Sequence, residues 1–209
     1  MTVYDLLFER YPALDSLRGE LLAAHELLCE AFRGGGKLLC CGNGGSAADA
    51  GHIVGELMKS FLIPRPLSDG GKTALAALGD DGAYLAGTLE RGLPAISLCA
   101  HEALMTAVAN DTAADTIFAQ QVTALGRKGD VLLAISTSGN SRNCVLAAVA
   151  ARARGMHVIA LTGEGGGRLA GIADVTLAVP ERETYRVQEL HLPLYHALCA
   201  GIEAEFYGR

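Results

Sequence analysis

The chain has 209 residues and a formal net charge of −6, with half of its residues hydrophobic and 19% charged. Such a sequence is typical of one folded domain with a full-sized core, and it excludes a disordered chain. The acidic balance argues against a nucleic-acid partner, because a nucleic-acid groove needs a stripe of Lys and Arg. No apolar run reaches the roughly 18 residues of a membrane span, and no signal peptide precedes the first helix, so we expect a cytoplasmic protein without a membrane partner.

The cysteines are expected to be reduced core thiols rather than disulfides or a zinc cluster, because most lie in apolar runs and none forms a C-x-x-C pair. Adjacent Cys40 and Cys41 should point to opposite faces of a strand. The six positions are Cys29, Cys40, Cys41, Cys99, Cys144 and Cys199.

Apolar residues at helical spacing predict an N-terminal helix over 6–32, which the glycines at 34–36 stop. Short apolar runs followed by helical stretches then recur along the chain. The predicted strands are 37–41, 95–99, 130–135, 157–161 and 175–179. Continuous apolar strands that alternate with helices indicate an α/β fold, with a parallel sheet covered on both faces.

Residues 59–93, with Pro64, Pro66 and paired glycines, break this rhythm and are interpreted as an inserted excursion. Within it, residues 83–93 could form a short helix. No linker or low-complexity tract divides the chain, so we predict a single domain over 1–209.

Two predicted strands end in loops of Gly, Ser, Thr and Asn, where an open parallel sheet binds its ligands. The second loop places Ser136, Thr137, Ser138 and Ser141 before a helix, with Gly139 among them. Hydroxyls and free helix N–H groups without Lys or Arg suit a phosphate monoester. The alternative is ordinary helix capping, for which one hydroxyl would suffice.

The first loop, residues 42–47, also fits the relaxed dinucleotide pattern G-x-G-x-x-A. That pattern needs a second strand that ends in an acidic residue about 20 positions later. Here that region contains Pro64 and Pro66 instead. A dehydrogenase is therefore the weaker interpretation.

Two helical stretches carry residues that could perform a reaction. His52 and Glu56 are four apart and share one helix face, either as an acid/base pair or as a solvated ion pair. Gln188 and His196 are eight apart, about 12 Å along a helix. Together these four could also hold a zinc-like ion, although that rise and Pro193, which should kink the helix, complicate a single-metal site.

These residues, in this order, resemble the sugar isomerase (SIS) domain family, and most closely its phosphoheptose isomerases. The resemblance covers 1–58 and 94–209. Its motifs are residues 42–46, His52 with Glu56, Asn110 with Asp111, residues 136–141, and Gln188 with His191 and His196.

The resemblance implies a single SIS domain with a five-stranded parallel sheet in a Rossmann-like three-layer arrangement, assembled as a homotetramer with active sites between subunits. It implies a base at Glu56 and its acid/base counterpart at His196. The implied substrate-binding residues are Asn43, Gly44, Ser46, Asp111, Ser136, Thr137, Ser138, Ser141 and Gln188. The implied ligands of one Zn²⁺ per subunit are His52, Glu56, Gln188 and His196.

The function implied is the aldose–ketose isomerisation of sedoheptulose 7-phosphate to a heptose 7-phosphate for surface-sugar synthesis, through an enediol(ate). The chain departs from the family at 59–93, at Cys99-Ala100-His101, and at Tyr185, where some members carry Asp. These departures leave two alternatives open. One is an isomerase of another phosphosugar, with specificity set by 59–93, and the other is a non-catalytic SIS module that binds a phosphosugar or a protein.

Overall fold

The computed structural model describes residues 2–208 and contains the five-stranded parallel sheet that the sequence predicts. The strand order is β2-β1-β3-β4-β5, and every neighbouring pair is parallel. The strands are β1 (Leu38–Cys41), β2 (Ala95–Ser97), β3 (Val131–Ser136), β4 (His157–Thr162) and β5 (Val175–Ala178).

Helices cover both faces of this sheet. In chain order they are α1 (Val3–Arg10), α2 (Arg18–Arg33), α3 (Gly45–Met58), α4 (Asp69–Ala76), α5 (Asp80–Thr88), α6 (Glu102–Val108), α7 (Ile117–Leu125), α8 (Arg142–Ala153), α9 (Gly167–Ala170) and α10 (Thr184–Tyr207). Short 3₁₀ segments cover Pro12–Leu17 and Ala114–Thr116, and a π-helical turn covers Ala109–Ala113.

Two hydrophobic cores lie on the two sides of the sheet. Cys40 and Leu133 face the core that α1, α2, α3 and α10 cover, whereas Cys41 and Leu132 face the core under α7 and α8. Adjacent cysteines therefore do point to opposite faces. All six cysteines are free thiols, and five of them are buried.

The N-terminal helix is shorter than its apolar spacing predicts. Instead of one helix over 6–32, α1 ends at Arg10, a 3₁₀ segment follows, and α2 begins at Arg18. The interruption comes at Tyr11, whose backbone leaves the helical region (φ −126°, ψ 72°). Because Pro12 follows, its ring disfavours a helical conformation at Tyr11.

The excursion contains a helical hairpin, α4 and α5, rather than one short helix over 83–93. The Ser68 side chain caps α4 by accepting from the Gly71 amide at 3.2 Å. Gly79, with φ of 90°, then turns the chain into α5. An isolated antiparallel bridge between Pro66 and Glu90 closes the base of the hairpin. Most of the hairpin's side chains are exposed, so it protrudes from the domain.

Helix α10 continues for 24 residues, with Pro193 inside it, so the proline does not end the helix. It buries His191, Leu194 and Tyr195 around that proline, so tertiary packing holds both halves. No helix within residues 2–208 has the length and apolar character needed to cross a membrane.

Candidate active site

The two predicted loops meet at the carboxyl ends of β1 and β3, which are neighbouring strands. Asn43 in the first loop and Asn143 at the start of α8 exchange two amide hydrogen bonds. Asn43 Nδ2 donates to Asn143 Oδ1 at 2.9 Å, and Asn143 Nδ2 donates to Asn43 Oδ1 at 2.8 Å. This reciprocal pair fixes the two loops against each other.

The hydroxyl-rich loop over 136–141 divides its side chains between two tasks. Ser136 is buried, and its hydroxyl donates to Ser141 Oγ at 2.9 Å while accepting from the Ser141 amide at 3.3 Å. Ser136 therefore holds the loop in shape. Thr137, Ser138 and Ser141 are exposed or half-exposed. Within the described chain, the Ser141 side chain makes no cap bond to α8, which removes capping as the reason for the hydroxyls.

Glycine is required where this loop passes the next one. Gly139 has φ of +66°, and a Cβ there would lie 2.0 Å from the Gly166 carbonyl oxygen. Gly45, at the start of α3, also lies close to α10, since a Cβ there would lie 2.4 Å from Gln188 Nε2. Gln188 therefore sits directly on the first loop, beside the predicted substrate-binding residues.

His52, Glu56 and His196 form a second cluster, farther along α3 and α10. His52 Nε2 lies 3.1 Å from Glu56 Oε1 and 3.3 Å from His196 Nε2. The Glu56 side chain is only 13% exposed, whereas that of His52 is 43% exposed. The carboxylate is thus partly withdrawn from water, as expected of a base that works near neutral pH.

A hydroxyl and a carboxylate orient His52 from behind. The Tyr195 hydroxyl donates to Asp49 Oδ1 at 3.2 Å, so its oxygen accepts from His52 Nδ1 at 3.0 Å. A neutral His52 then carries its proton on Nδ1, which leaves an Nε2 lone pair that faces Glu56 and His196.

The electrostatics of the cluster follow from burial and from neighbouring charges. Burial, and secondarily His52, lowers the pKa of His196, although Glu56 acts in the opposite direction. Burial also raises the pKa of Asp49, whose Oδ2 is buried and lacks a hydrogen-bond partner within residues 2–208. A neutral His196 is therefore favoured, and it can accept a proton.

The cluster fits zinc in chemistry but is not closed. Ligands on a tetrahedral zinc with bonds of 2.0–2.1 Å lie about 3.3 Å apart, close to the two short distances here. Glu56 and His196 are not within ion-pair distance, and residues 2–208 contain no closed group of three His, Cys, Asp or Glu metal ligands. A proton or a cation between His52 Nε2 and its two neighbours, Glu56 Oε1 and His196 Nε2, would satisfy the lone pairs of these atoms.

Within residues 2–208, hydrogen-bond contacts join His52 to Glu56 and His196 but do not extend to Gln188, the fourth predicted zinc ligand. Gln188 lies at Gly45, and His52 is seven residues farther along α3, about 10 Å away by helical rise. Asp111, in the π-helical turn, is exposed and accepts from Asn110 Nδ2 at 2.8 Å. The predicted site residues therefore form two groups, one at the loops and one at the histidines.

Three residues of the site escape sequence reasoning. Asn143 follows the second loop by two positions, Tyr195 adjoins His196, and Asp49 lies three positions before His52. Only Asp49 carries a usable signal, because residues three apart share a helix face. Tyr195 acts across helices, and no spacing pattern in a single sequence shows such a contact.

Comparisons with known proteins support the family resemblance that the sequence motifs indicate. A family profile described as the SIS domain matches residues 83–163. A phosphoheptose isomerase of Bordetella avium (strain 197N) is 46% identical over 200 residues, which cover 94% of this chain and 88% of that protein. One from Thiobacillus denitrificans is 43% identical over 199 residues, with the same coverage.

Two solved structures show the same similarity. Phosphoheptose isomerase from Neisseria gonorrhoeae superposes with a TM-score of 0.75 at 39% identity, covering 93% of this chain and 91% of that one. A phosphoheptose isomerase from Francisella tularensis gives a TM-score of 0.74 at 32% identity, covering 96% and 94%.

Proposed function

The chain belongs to the phosphoheptose isomerase family of SIS domain proteins, and we propose that it converts sedoheptulose 7-phosphate to D-glycero-D-manno-heptose 7-phosphate. The reaction moves a carbonyl group between neighbouring carbons through an enediol(ate). The enzyme needs an anchor for the phosphate, a base for the carbon-bound proton and an acid/base group for the oxygens.

The loop over 136–141 is the phosphate anchor. Ser138, Ser141 and Thr137 offer hydroxyls that capping does not use, and the first turn of α8 adds N–H groups to them. Ser136 supports the loop through Ser141. Asn43, Gly44, Ser46, Gln188 and Asp111 are assigned to the sugar.

Glu56 removes the proton from the carbon next to the carbonyl group and returns it to the neighbouring carbon. His196, as a neutral imidazole, accepts the proton of the hydroxyl on the carbon next to the carbonyl group and releases it to the former carbonyl oxygen, so that the protons on the two oxygens balance. Partial burial keeps the Glu56 carboxylate poorly solvated and reactive. The lowered pKa of His196 leaves its imidazole free to accept a proton.

His52, Glu56 and His196, with Gln188, would hold a zinc ion. Bound there, the ion would polarise the oxygens of the substrate and stabilise negative charge on them. Glu56 is assigned both as the catalytic base and as a zinc ligand. Its two carboxylate oxygens face different neighbours, since Oε1 lies toward His52 and Oε2 toward Lys59. Tyr195 fixes the His52 ring so that Nε2 faces the site.

The two groups of site residues are joined in a homotetramer whose active sites lie between subunits. Gln188, on α10, lies against Gly45 at the start of α3, and α3 rises about 10 Å from Gly45 to His52, so we infer that one chain does not gather all four zinc ligands. A neighbouring subunit that presents its own Gln188 to this His52 cluster completes the set.

One observation carries this assignment: a partly buried carboxylate on α3 and an imidazole on α10 both contact His52, and α3 starts from the loop that Asn43 ties to α8. The test is proton NMR of sedoheptulose 7-phosphate with the protein in D₂O, with and without a chelator. We expect aldose signals and deuterium at the reacting carbon, with unphosphorylated sedoheptulose as the inert control.

A second candidate is the same chemistry on another phosphosugar. It is favoured by the protruding α4–α5 hairpin, whose base follows directly from the helix that carries Glu56. A panel of C5 to C7 ketose phosphates decides between the two. Turnover of another sugar without the heptulose would favour this candidate, and turnover of none would favour a non-catalytic binding module.

A further inference from the structure

A fully buried ion pair lies directly behind the candidate base. Arg65, in the excursion, and Glu203, on α10, both have side chains that are 0% exposed, and Arg65 Nε donates to Glu203 Oε1 at 2.8 Å. The other two guanidinium nitrogens donate hydrogen bonds to the end of α3. Nη1 donates to the Leu57 carbonyl at 2.7 Å, and Nη2 donates to the Glu56 carbonyl at 3.1 Å.

The Glu203 carboxylate organises the chain that leaves α3. It accepts from the backbone amides of Phe61 at 2.8 Å, Leu62 at 2.7 Å and Ile63 at 3.1 Å. A carboxylate with three amide donors and one guanidinium has every strong partner it can use. Residues 61–63 are therefore fixed relative to α10.

Both catalytic groups touch this unit. The Glu56 backbone is bonded to Arg65, and the Phe61 ring packs against the His196 ring with centroids 5.6 Å apart. Glu203 lies seven residues after His196, two turns along the same helix. One ion pair thus connects the helix that carries the base, the ring that packs on the acid, and the helix that carries the acid.

We propose that Arg65 and Glu203 are positioning residues that set the placement of Glu56 against His196. This inference rests on the proposed function for the roles of those two groups. The guanidinium holds the last turn of α3 by two carbonyls at once, which a lysine cannot reproduce because its ammonium is a single point. Its positive charge also complements the carbonyl end of the helix.

A purely structural ion pair is the competing explanation, and the chain offers a matched control. Lys37 Nζ lies 2.5 Å from Asp130 Oδ2, with side chains 20% and 3% exposed. Asp130 also accepts from the Lys37 amide at 2.9 Å. This pair lies at the amino ends of β1 and β3, on the edge of the sheet away from the site.

The experiment compares Arg65→Met/Glu203→Gln, which leaves no unpaired buried charge, with Lys37→Met/Asp130→Asn. Arg65→Lys is the conservative variant. The measurements are folding by circular dichroism, kcat and KM on the ketose phosphate that the wild type turns over best, and the ¹³C-histidine NMR signal of His196. Phe61→Leu gives the position of that signal without the aromatic ring.

We expect the Arg65/Glu203 variant to lose tenfold to a hundredfold in kcat, with KM changed by less than about threefold. Its His196 signal should move toward the Phe61→Leu position. The control pair should lower the melting temperature while kcat and the His196 signal stay at wild-type values. Arg65→Lys should fold, and its kcat should lie between that of the Arg65/Glu203 variant and that of the control pair.

An unchanged kcat and His196 signal in the folded double variant would overturn the proposal, as would an equal loss of kcat in the control pair. If both Arg65 variants fail to fold while the control pair folds, the ion pair is structural and the proposal fails. A wild type without turnover on any ketose phosphate would refute the proposed function instead, and the His196 signal would still decide the positioning role.

Discussion

The Nε2 atoms of His52 and His196 lie 3.3 Å apart, although the two residues are 144 positions apart in sequence. Because the Tyr195 oxygen accepts from His52 Nδ1, a neutral His52 ring carries its lone pair on Nε2, and Glu56 Oε1 lies 3.1 Å from that atom. Such a set of electron-rich atoms is stable only with a proton or a cation among them. The chemistry of the site follows from this arrangement.

The Tyr195 hydroxyl should matter for zinc affinity. Tyr195→Phe removes the group that orients His52, and loss of such a partner costs about tenfold to a hundredfold in metal affinity. Isothermal titration of the protein with Zn²⁺ measures this directly, without any substrate.

Tyr84→Phe is the matched control, because Tyr84 is 69% exposed on the hairpin and far along the chain from the site. Its zinc affinity should equal that of the wild type. If Tyr195→Phe binds zinc as tightly as Tyr84→Phe, the hydroxyl does not orient a metal ligand.

Active sites shared between subunits predict complementation between inactive chains. Glu56→Gln and Gln188→Ala should each be inactive alone, because each breaks every site. In a coexpressed mixed oligomer, sites built from the unaltered Glu56 of one chain and the unaltered Gln188 of another should regain activity, up to about a quarter of the wild-type level for equal mixing.

Differently tagged chains, purified through both tags, provide the mixed oligomer, and a mixture of the separate homo-oligomers is the control. Activity above that control supports shared sites. A mixed oligomer as inactive as its parents would place Gln188 and Glu56 in sites built from one chain.

His191 should make the protein less stable in mild acid. Its ring is fully buried, donating from Nε2 to the Thr162 carbonyl at 3.1 Å, and burial lowers its pKa from 6.5 to about 4. Above pH 6.5 both folded and unfolded forms hold a neutral ring. As pH falls from 6.5 toward 4, the unfolded form binds the proton first, so stability on the order of 3 kcal/mol is lost across that window.

Urea unfolding at a series of pH values measures this slope. His191→Gln should flatten this slope, whereas His157→Gln, at an exposed position beside Asp174, should change it far less. An unaltered slope in the His191 variant would show that other groups cause the acid sensitivity.

The sheet and the position of the hydroxyl-rich loop over 136–141 could be predicted from sequence because they depend on local patterns. Short apolar runs that end in Gly- and Ser-rich loops mark β1 and β3 and their order along the chain. The alternation of side chains along a strand was enough to separate Cys40 from Cys41.

Features that depend on contacts between distant residues could not be predicted in this way. The helix break at Tyr11 arises because the conformational effect of Pro12 outweighs the apolar spacing, whereas α10 continues past Pro193, around which His191, Leu194 and Tyr195 are buried. The Arg65–Glu203 pair joins residues 138 positions apart, and single-sequence periodicity carries no information about such a pair.

The role of Glu56 is tested most directly by Glu56→Gln in D₂O, followed by proton NMR of sedoheptulose 7-phosphate. The amide keeps the size of the side chain but cannot accept the carbon-bound proton. We expect the variant to bind the sugar phosphate while isomerisation and deuterium exchange at the reacting carbon both fall by orders of magnitude. Exchange and turnover at wild-type rates would show that another group is the base and would contradict this account.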